Sequence, residues 1–440
     1  MSKVILKISR ELYDRVMNDL LRPHSYARER VGFLHSRSKK VLNGDYLVYL
    51  TEYKPVDDED YIDDSNFGSK FGSRPINDSI SYGLEKNMGV FHVHMHELSG
   101  RLPEFSKIDL KYLPPIFESC HRIIKNQVHG MLLLGGKGLN AHVWLPEKTS
   151  YIKVDQISII GSPMLVVFPK RPLSRLKLDR YNRQSFLGPF SEALFKRVRI
   201  GIVGLSGGGS HIVQQLSHIG FKNFSLFDDD VIDETNLNRL VGAELKDLKK
   251  ESSKFSIAKR TIRKLQNKPL ILGGKMKWEE LPEALQLCDI VFGCVDSLAT
   301  RRDLESECRR YMIPYIDIGM GIDRSPSSPP YIYGQAHVSI PGESCLICRG
   351  FLNQEDLATE AKNYGEKGGR PQVVWPNGVL ASTAVGGLID LLTNWTEDKK
   401  INLHITYDGN TFESRPSIQT KGYPNKCPHY NLLEAGPLIL

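Results

Sequence analysis

Long apolar runs are missing from these 440 residues. The longest, such as SPMLVVF at 162–168, fall far short of the roughly 20 residues that a membrane-spanning helix needs, so no membrane partner is expected. The opening stretch MSKVILKISREL mixes charges into its apolar residues and has no signal-peptide core. Charge of one sign is not gathered anywhere. The net charge of +7 is spread along the chain rather than packed into a basic tail, which gives little reason to expect a nucleic-acid partner. Cysteine is sparse and odd in number, seven in all, and several fall inside apparent strands or helices. That excludes a disulfide frame and points to a reducing, cytoplasmic setting with free or metal-binding thiols. Internal repeats are absent as well. What is present, 40% apolar and 25% charged residues, is the usual profile of a globular protein. At roughly 100–200 residues per domain, the length suggests two or three domains.

Two halves are visible. Residues 1–165 mix short strands (YLVYL, GVFHVH, HGMLLLG, AHVWL) with helical stretches such as ELYDRVMNDLL, an α+β pattern. An acidic polar stretch, VDDEDYIDDSNFGSKFGS at 56–73, interrupts this half and reads as a mobile loop. Residues 166–178, basic and proline-containing, read as a linker. From 179 to 440 short apolar runs alternate with amphipathic helical stretches: RIGIVG, FSLFD, PLILGG, DIVFGCVD and PYIDIG. Such alternation predicts an α/β domain with a doubly wound, Rossmann-like, mostly parallel sheet.

The run RIGIVG leads into Gly204-Leu205-Ser206-Gly207-Gly208-Gly209 and then a helix. A glycine-rich turn there lets backbone N–H groups face a phosphate at the positive end of the helix. Ser206 stands where a dinucleotide fingerprint has its middle glycine, so the loop alone says little. The next strand says more. It ends at Asp228, about 20 residues past the loop, where a carboxylate can accept both ribose hydroxyls. Asp230, Asn236 and Arg239 of TNLNR follow, then Lys254. A nicotinamide enzyme has no use for an arginine and a lysine here, whereas a triphosphate does, because cations offset charge on the departing pyrophosphate. Asp296 ends the strand FGCVD at the carboxyl edge of the sheet. A carboxylate there suits Mg²⁺, although an isolated Asp would also serve as a helix N-cap.

The ordered set RYNRQ, VGLSGGG, D-x-D-x-V-x-x-T-N-L-N-R, a lysine-bearing helix and CVDSLATRR resembles the superfamily of ubiquitin-activating enzymes and of bacterial molybdopterin- and thiamine-pathway (ThiF-type) adenylyltransferases, over about residues 179–435. The resemblance implies that Asp228 and the loop residues Gly204, Ser206, Gly207 and Gly209 hold ATP, that Asp230 and Asn236 join them, that Arg239 and Lys254 bind phosphates, and that Asp296 holds magnesium. It also implies that Arg183 of RYNRQ reaches into a partner subunit's ATP site, hence a homodimer. The implied reaction is adenylation of the C-terminal carboxylate of a ubiquitin-like protein, with a ubiquitin-conjugating-like enzyme as the next partner.

Cys345 and Cys348 form a C-x-x-C after a Pro-Gly turn, and Cys427 and His429 stand downstream. Relatives hold a structural zinc with two C-x-x-C pairs at these places. Here Tyr430 takes the fourth cysteine position, and His429 can substitute to give a Cys₃His set. Relatives that pass on a thioester carry a cysteine where this chain has Val374. Three outcomes stay open: a halt at the adenylate, as in sulfur-carrier activation, an oxyester on Thr359, Ser382 or Thr383, or a thioester on another cysteine such as Cys294. A hydroxyl would need an activating base.

In the first half, Glu29 stands in E-R-V-G, His92 and His94 sit two apart on an apparent strand, and Ser106 and Asp109 form S-x-x-D. Residues two apart on a strand share a face. Two histidines, an aspartate and a water make a catalytic zinc site. A glutamate could take the water's proton, and Ser106 could hydrogen-bond the oxyanion. This order resembles the JAMM (JAB/MPN) metal-dependent isopeptidases over about 1–150. Met95 replaces the proline that usually follows the second histidine, the gap to Ser106 is long, and His96 offers a third imidazole. The resemblance implies catalytic zinc on His92, His94 and Asp109 with Glu29 as base, in a domain acting on the tail of the same ubiquitin-like protein.

Overall fold

The computed structural model describes residues 2–96, 102–136, 138–148, 150–175, 179–324, 328–362, 371–397, 404–417, 423–424 and 426–437. Part of the expected linker, 176–178, lies outside the described residues. The chain divides into two compact units: Met1–Leu173 with Arg310–Met312 and Asn431–Leu440, and Ser174–Arg309 with Ile313–Tyr430. The sequence reading assigned the segment after Tyr430 to the second domain. It groups instead with the first unit, where Gly436 lies against Tyr49.

The first unit contains β1 (Val4–Ser9), α1 (Arg10–Leu20), β2 (Val31–Lys40), β3 (Tyr46–Pro55), α2 (Arg74–Glu85), β4 (Gly89–Met95), α3 (Lys107–Tyr112), α4 (Pro114–Ile123), β5 (His129–Gly135), β6 (Gly138–Trp144), β7 (Ile152–Lys153), β8 (Gln156–Ile160) and β9 (Leu165–Val167). The strands form one mixed sheet in the order β7-β6-β5-β4-β2-β3-β1-β8-β9. Helix α1 starts where the Ser9 hydroxyl accepts from the N–H of Leu12, and buries Leu12, Val16 and Leu20 at four-residue spacing. Both faces of the sheet are covered, which is why β4 is buried nearly throughout. Phe91 and Val93 face one core and Val90 the other. By strand alternation His92 and His94 share the face of Val90.

The stretch 56–73, expected as a mobile loop, is tied down. Tyr61 bridges Phe71, Ile62 N–H donates to the Lys70 carbonyl, and ion pairs join Arg30 to Asp58, Arg74 to Asp60 and Lys70 to Asp64. Its acids read as solvent-facing in the sequence because most of their cationic partners lie outside the stretch.

The second unit contains α5 (Ser191–Phe195), β10 (Arg199–Val203), α6 (Gly207–Ile219), β11 (Asn223–Phe227), α7 (Leu245–Lys249), α8 (Lys254–Leu265), β12 (Leu270–Gly274), α9 (Pro282–Gln286), β13 (Ile290–Gly293), α10 (Leu298–Arg310), β14 (Tyr315–Asp323), β15 (Tyr331–Ser339), α11 (Gln354–Lys362), α12 (Val374–Thr393), β16 (His404–Asp408) and β17 (Glu413–Pro416). The order is β12-β11-β10-β13-β14-β15-β16-β17. Pairing is parallel from β12 through β14 and antiparallel from β14 to β17, a Rossmann-like sheet with an antiparallel extension. The chain winds outward from β10 to β12 and then returns to the other side of β10 with β13. That reversal leaves a crevice at the carboxyl ends of β10 and β13, where open α/β sheets bind ligands. Among the described residues no helix is long and apolar enough to cross a membrane.

Candidate functional site

The crevice is a cavity of about 290 Å³ lined by Gly204, Ser206, Asp228, Asp229, Asp230, Lys254, Lys277, Trp278, Asp296, Ser297 and Thr300, among others. It is built on a turn that only glycine permits. Gly204 has φ +86°, and a Cβ on it would lie 2.4 Å from the Cys294 carbonyl oxygen. A Cβ on Gly209 would lie 1.9 Å from the Gly204 carbonyl oxygen. The helix therefore begins already at Gly207, three residues ahead of the sequence reading, with Ser206 before it making no side-chain cap. Thirteen residues of helix then point a positive end at the crevice, as anion sites require.

Asp228 ends β11. One of its oxygens accepts from Leu205 N–H at 2.7 Å and the other from Asp230 N–H at 3.1 Å. Burial pushes its pKa above the ordinary carboxylate value, while Lys254 works against that rise. Lys254 opens α8 and is itself buried. Its ammonium donates to Asp230 at 2.5 Å. Asn236 is buried in a one-turn 3-10 helix capped by Asp233. Arg239 donates to the Thr235 carbonyl at 2.7 Å and to Asn238 Oδ1 at 3.0 Å. Neither Asn236 nor Arg239 is among the residues lining the cavity. Arg183 lies exposed in the 3-10 stretch Asp179–Leu187. The sequence reading missed the wall at Met276–Glu279 and the pair Ser297 and Thr300. The available signal was position, since both stretches follow strands that end at the same sheet edge.

Cys345, Cys348, Cys427 and His429 place one ligand atom each within 4.8 Å of the others. His429 Nδ1 lies 3.4 Å from the Cys345 sulfur and 3.3 Å from that of Cys348. The Cys348 and Cys427 sulfurs are 3.7 Å apart. A hydrogen bond from Cys345 lowers the Cys427 thiol below its ordinary value. Tyr430 instead stacks under Arg309, whose guanidinium is 5.2 Å from the ring centre. Three sulfurs and one imidazole nitrogen fit a closed tetrahedral zinc set.

Val374 is the exposed first residue of α12. The hydroxyls of Thr359 and Thr383 donate to carbonyls one turn back, those of Glu355 and Val379. Ser382 accepts from Gln215. Burial pushes the Cys294 thiol well up, reinforced by Asp317, which disfavours the thiolate that attack requires.

In the first unit a cavity of about 530 Å³ holds Glu29, His92, His94, His96, Ser106 and Asp109 beneath Phe67, Phe71, Ile108 and Tyr112. The three histidines play unequal parts. Ligand atoms of Glu29, His94 and His96 lie within 4.8 Å of one another. Asp109 stands 3.4 Å from His94 Nε2 and 3.3 Å from His96 Nε2. Burial would raise Asp109, but hydrogen bonds from the two imidazoles hold it well below the usual range. His92 lies stacked on Phe71 and edge-on to Phe33. Burial lowers it to about 3, and neither of its ring nitrogens has a hydrogen-bond partner. His92 lines the same cavity, with its ring centre 5.2 Å from that of His94, so all three imidazoles share one cavity with Glu29 and Asp109. The strand ends at Met95, so pattern alone could not carry the face one step further. Ser106 caps α3: its hydroxyl accepts from Asp109 N–H at 3.1 Å, and Asp109 accepts from Ser106 N–H at 2.7 Å. That fixes Asp109 and leaves the hydroxyl proton of Ser106 free to donate.

Residues 181–429, more than half of the chain, match the ThiF family. The chain is 34% identical over 147 residues to the molybdopterin-synthase adenylyltransferase of Haemophilus influenzae, covering 31% of this chain and 58% of that protein. It is 26% identical over 161 residues to the sulfur carrier protein ThiS adenylyltransferase of Escherichia coli, covering 35% and 64%. It is also 26% identical over 182 residues to the SAMP-activating enzyme E1 of Haloferax volcanii, covering 40% and 63%. The chain thus spans less than two thirds of the length of these curated relatives. Among solved structures, the microcin C7 biosynthetic enzyme MccB in complex with N-formylated MccA overlays 58% of this chain and 75% of its own, with a TM-score of 0.47 and 18% identity.

Proposed function

This chain belongs to the ThiF family, and on that premise we propose that it activates the C-terminal carboxylate of a ubiquitin-like protein by adenylation with ATP. The observation that carries this is the meeting of Asp228, Lys254 and Asp296 in one cavity at the reversal of the sheet. A carboxylate for ribose, a cation for phosphate and a carboxylate for magnesium together suit a nucleoside triphosphate rather than a dinucleotide. The glycine turn and α6 receive the phosphates, Asp228 accepts from the ribose hydroxyls, and Lys254 moves its ammonium from Asp230 to a phosphate oxygen. Arg239, outside the cavity lining, would have to leave Thr235 and Asn238 and swing toward the crevice to reach a phosphate. Asp296 would hold magnesium, which would supply charge screening between polyphosphate and incoming carboxylate.

An oxygen of the partner's carboxylate attacks the α-phosphorus. The new O–P bond forms as the bond to the β-phosphate oxygen breaks, and pyrophosphate leaves with that electron pair. The carboxylate is already ionised, so no general base is required, and the residues act by position and charge. The Cys₃His set would hold a structural zinc. The homodimer implied by Arg183 is supported by exposed apolar side chains in the same unit, Phe186, Phe190 and Trp395, of which Phe186 and Trp395 meet edge to face at 5.7 Å.

The test is intact mass spectrometry after incubation with Mg-ATP and a candidate small ubiquitin-like protein. A partner bearing AMP, lost in Asp296→Ala, supports adenylation. An adduct of enzyme and partner joined with loss of water would add a covalent step and a conjugating enzyme as onward acceptor. AMP-partner without that adduct corresponds to the sulfur-carrier type, with the first unit as a docking domain. Neither product, across partners that bind, overturns the reading.

A second reading concerns the first unit. The convergence of Glu29, His94, His96 and Asp109 beneath an apolar rim supports a zinc isopeptidase of the JAMM kind, removing or maturing the same ubiquitin-like protein. His92, His94 and Asp109 would hold zinc, which would supply Lewis acidity, with His96 a further imidazole in the same cavity; Glu29 would take a proton from water, and Ser106 would donate to the oxyanion. Cleavage of a fusion carrying a ubiquitin-like tail, abolished in Glu29→Gln, tests it. Retained cleavage in that variant would reject it.

A further inference from the structure

Asp296 and Arg239 come from loops 57 residues apart in sequence, yet one residue ties them together. Gln372 Nε2 donates to Asp296 Oδ1 at 3.2 Å. The backbone carbonyl of the same Gln372 accepts from Asn238 Nδ2 at 3.0 Å. Asn238 Oδ1 in turn accepts from Arg239 Nη1 at 3.0 Å. These three bonds run unbroken from the carboxylate read as magnesium ligand to the guanidinium read as phosphate ligand. Gln372 is well placed to hold both ends, because it sits two residues ahead of α12. There Asn377 donates to the Val373 carbonyl at 2.9 Å. Asn377 also packs so closely on the phosphate loop that a Cβ at Gly207 would lie 2.8 Å from its Nδ2. Glu360 fastens the other side of the Asp296 loop. Its carboxylate accepts from Ser297 Oγ and from the N–H groups of Leu298 and Ala299, each at 3.1 Å.

We propose that Gln372 is a positioning residue for adenylation: it orients the magnesium carboxylate of Asp296 and couples it to the arginine loop through Asn238. The inference rests on the adenylation reading. A neutral amide on one carboxylate oxygen fixes the orientation of the group without cancelling the charge that a cation needs. The partner that orients a metal-binding carboxylate in this way commonly controls metal affinity by about 10–100-fold. Loading the crevice with metal and polyphosphate then acts on both loops at once, since displacing either Asp296 or Arg239 pulls on the same residue. No signal in the sequence marks Gln372, which lies 76 positions from Asp296.

The experiment measures Mn²⁺ affinity by electron paramagnetic resonance in the presence of a non-hydrolysable ATP analogue, for the full chain and for Gln372→Ala, Asn238→Ala and the double variant. Gln372→Ala is expected to weaken Mn²⁺ by about tenfold. Asn238→Ala is expected to weaken it less. The double variant should resemble Gln372→Ala, because both substitutions cut one chain of bonds. Gln372→Glu, which places a second carboxylate beside Asp296 in place of the donor, should fail to restore the wild-type value. In ATP–pyrophosphate exchange the magnesium concentration for half-maximal rate should rise by a similar factor, with a smaller fall in the saturated rate. Unchanged Mn²⁺ affinity in Gln372→Ala, or fully additive losses in the double variant, would overturn the coupling while leaving adenylation intact. A wild-type chain that binds neither the analogue nor Mn²⁺ would overturn the parent reading as well.

Discussion

Lys254 donates its ammonium to Asp230 at 2.5 Å while standing 3.9 Å from Asp228. On the adenylation reading, a polyphosphate would offer this buried ammonium an acceptor in place of Asp230. Lys254→Ala should weaken Mg-ATP binding at least about tenfold, in line with the roughly 1.5–3 kcal/mol typical of a hydrogen bond to a charged group. Isothermal titration calorimetry measures it. Wild-type affinity in that variant would remove Lys254 from the nucleotide site.

The helix that carries Lys254 is stapled to α7 by a two-pronged pair. Arg260 donates from both terminal nitrogens to Asp247, at 2.7 and 2.6 Å. The hydrogen bond from Arg260 lowers Asp247 to about 2, below the ordinary carboxylate range. A depressed carboxylate contributes stability that is fully present above its unfolded pKa and lost as pH falls through the folded one. Asp247→Asn should therefore lower Tm at pH 7, and the gap from wild type should close between about pH 4 and pH 2. Thermal melts across that window check the sign. A gap that widens on acidification would contradict it.

Metal analysis distinguishes the three histidines of the first unit. If the first unit holds zinc on His92, His94 and Asp109, then His92→Ala, His94→Ala and Asp109→Asn should each abolish its binding there, while His96→Ala should retain it. Inductively coupled plasma mass spectrometry on chains that also carry Cys348→Ser, to empty the second set, gives the count. Loss of metal in His96→Ala with metal kept in His92→Ala would move the site to the second and third histidines.

The second metal set makes its own demand. His429→Ala and Cys348→Ser should each lower zinc content by one ion per chain and lower Tm, as a structural zinc contributes directly to folding. Tyr430→Phe should keep the zinc, because Tyr430 contributes its ring face to Arg309. Zinc content unchanged in both ligand variants would reject the Cys₃His assignment.

Much of the second unit was legible because its signals are local. The glycine turn, the acid about one strand later and the lysine opening a helix each follow from a few consecutive residues, and parallel strands dictate that their carboxyl ends share an edge. Local pattern failed where the neighbour had to be found in space. The acidic stretch 56–73 read as mobile until Arg30, Lys70 and Arg74 were seen to pair with it. His92, His94 and His96 follow one another at alternate positions, and alternation alone cannot tell which of the three would face a metal beside Glu29.

The order of strands and helices in the second unit, the glycine turn with the acids and lysine beside it, and the Cys₃His cluster all follow from the amino-acid order, because periodicity, glycine and short spacings act within reach of the backbone. Folding in three dimensions was needed to bring three imidazoles into one cavity with Asp109, to surround the Cys294 thiol so that its pKa rises, and to join Asp296 to Asn238 through Gln372. Each of these depends on groups from separate segments meeting in space, where distance and surroundings, not residue type, set what a group can do.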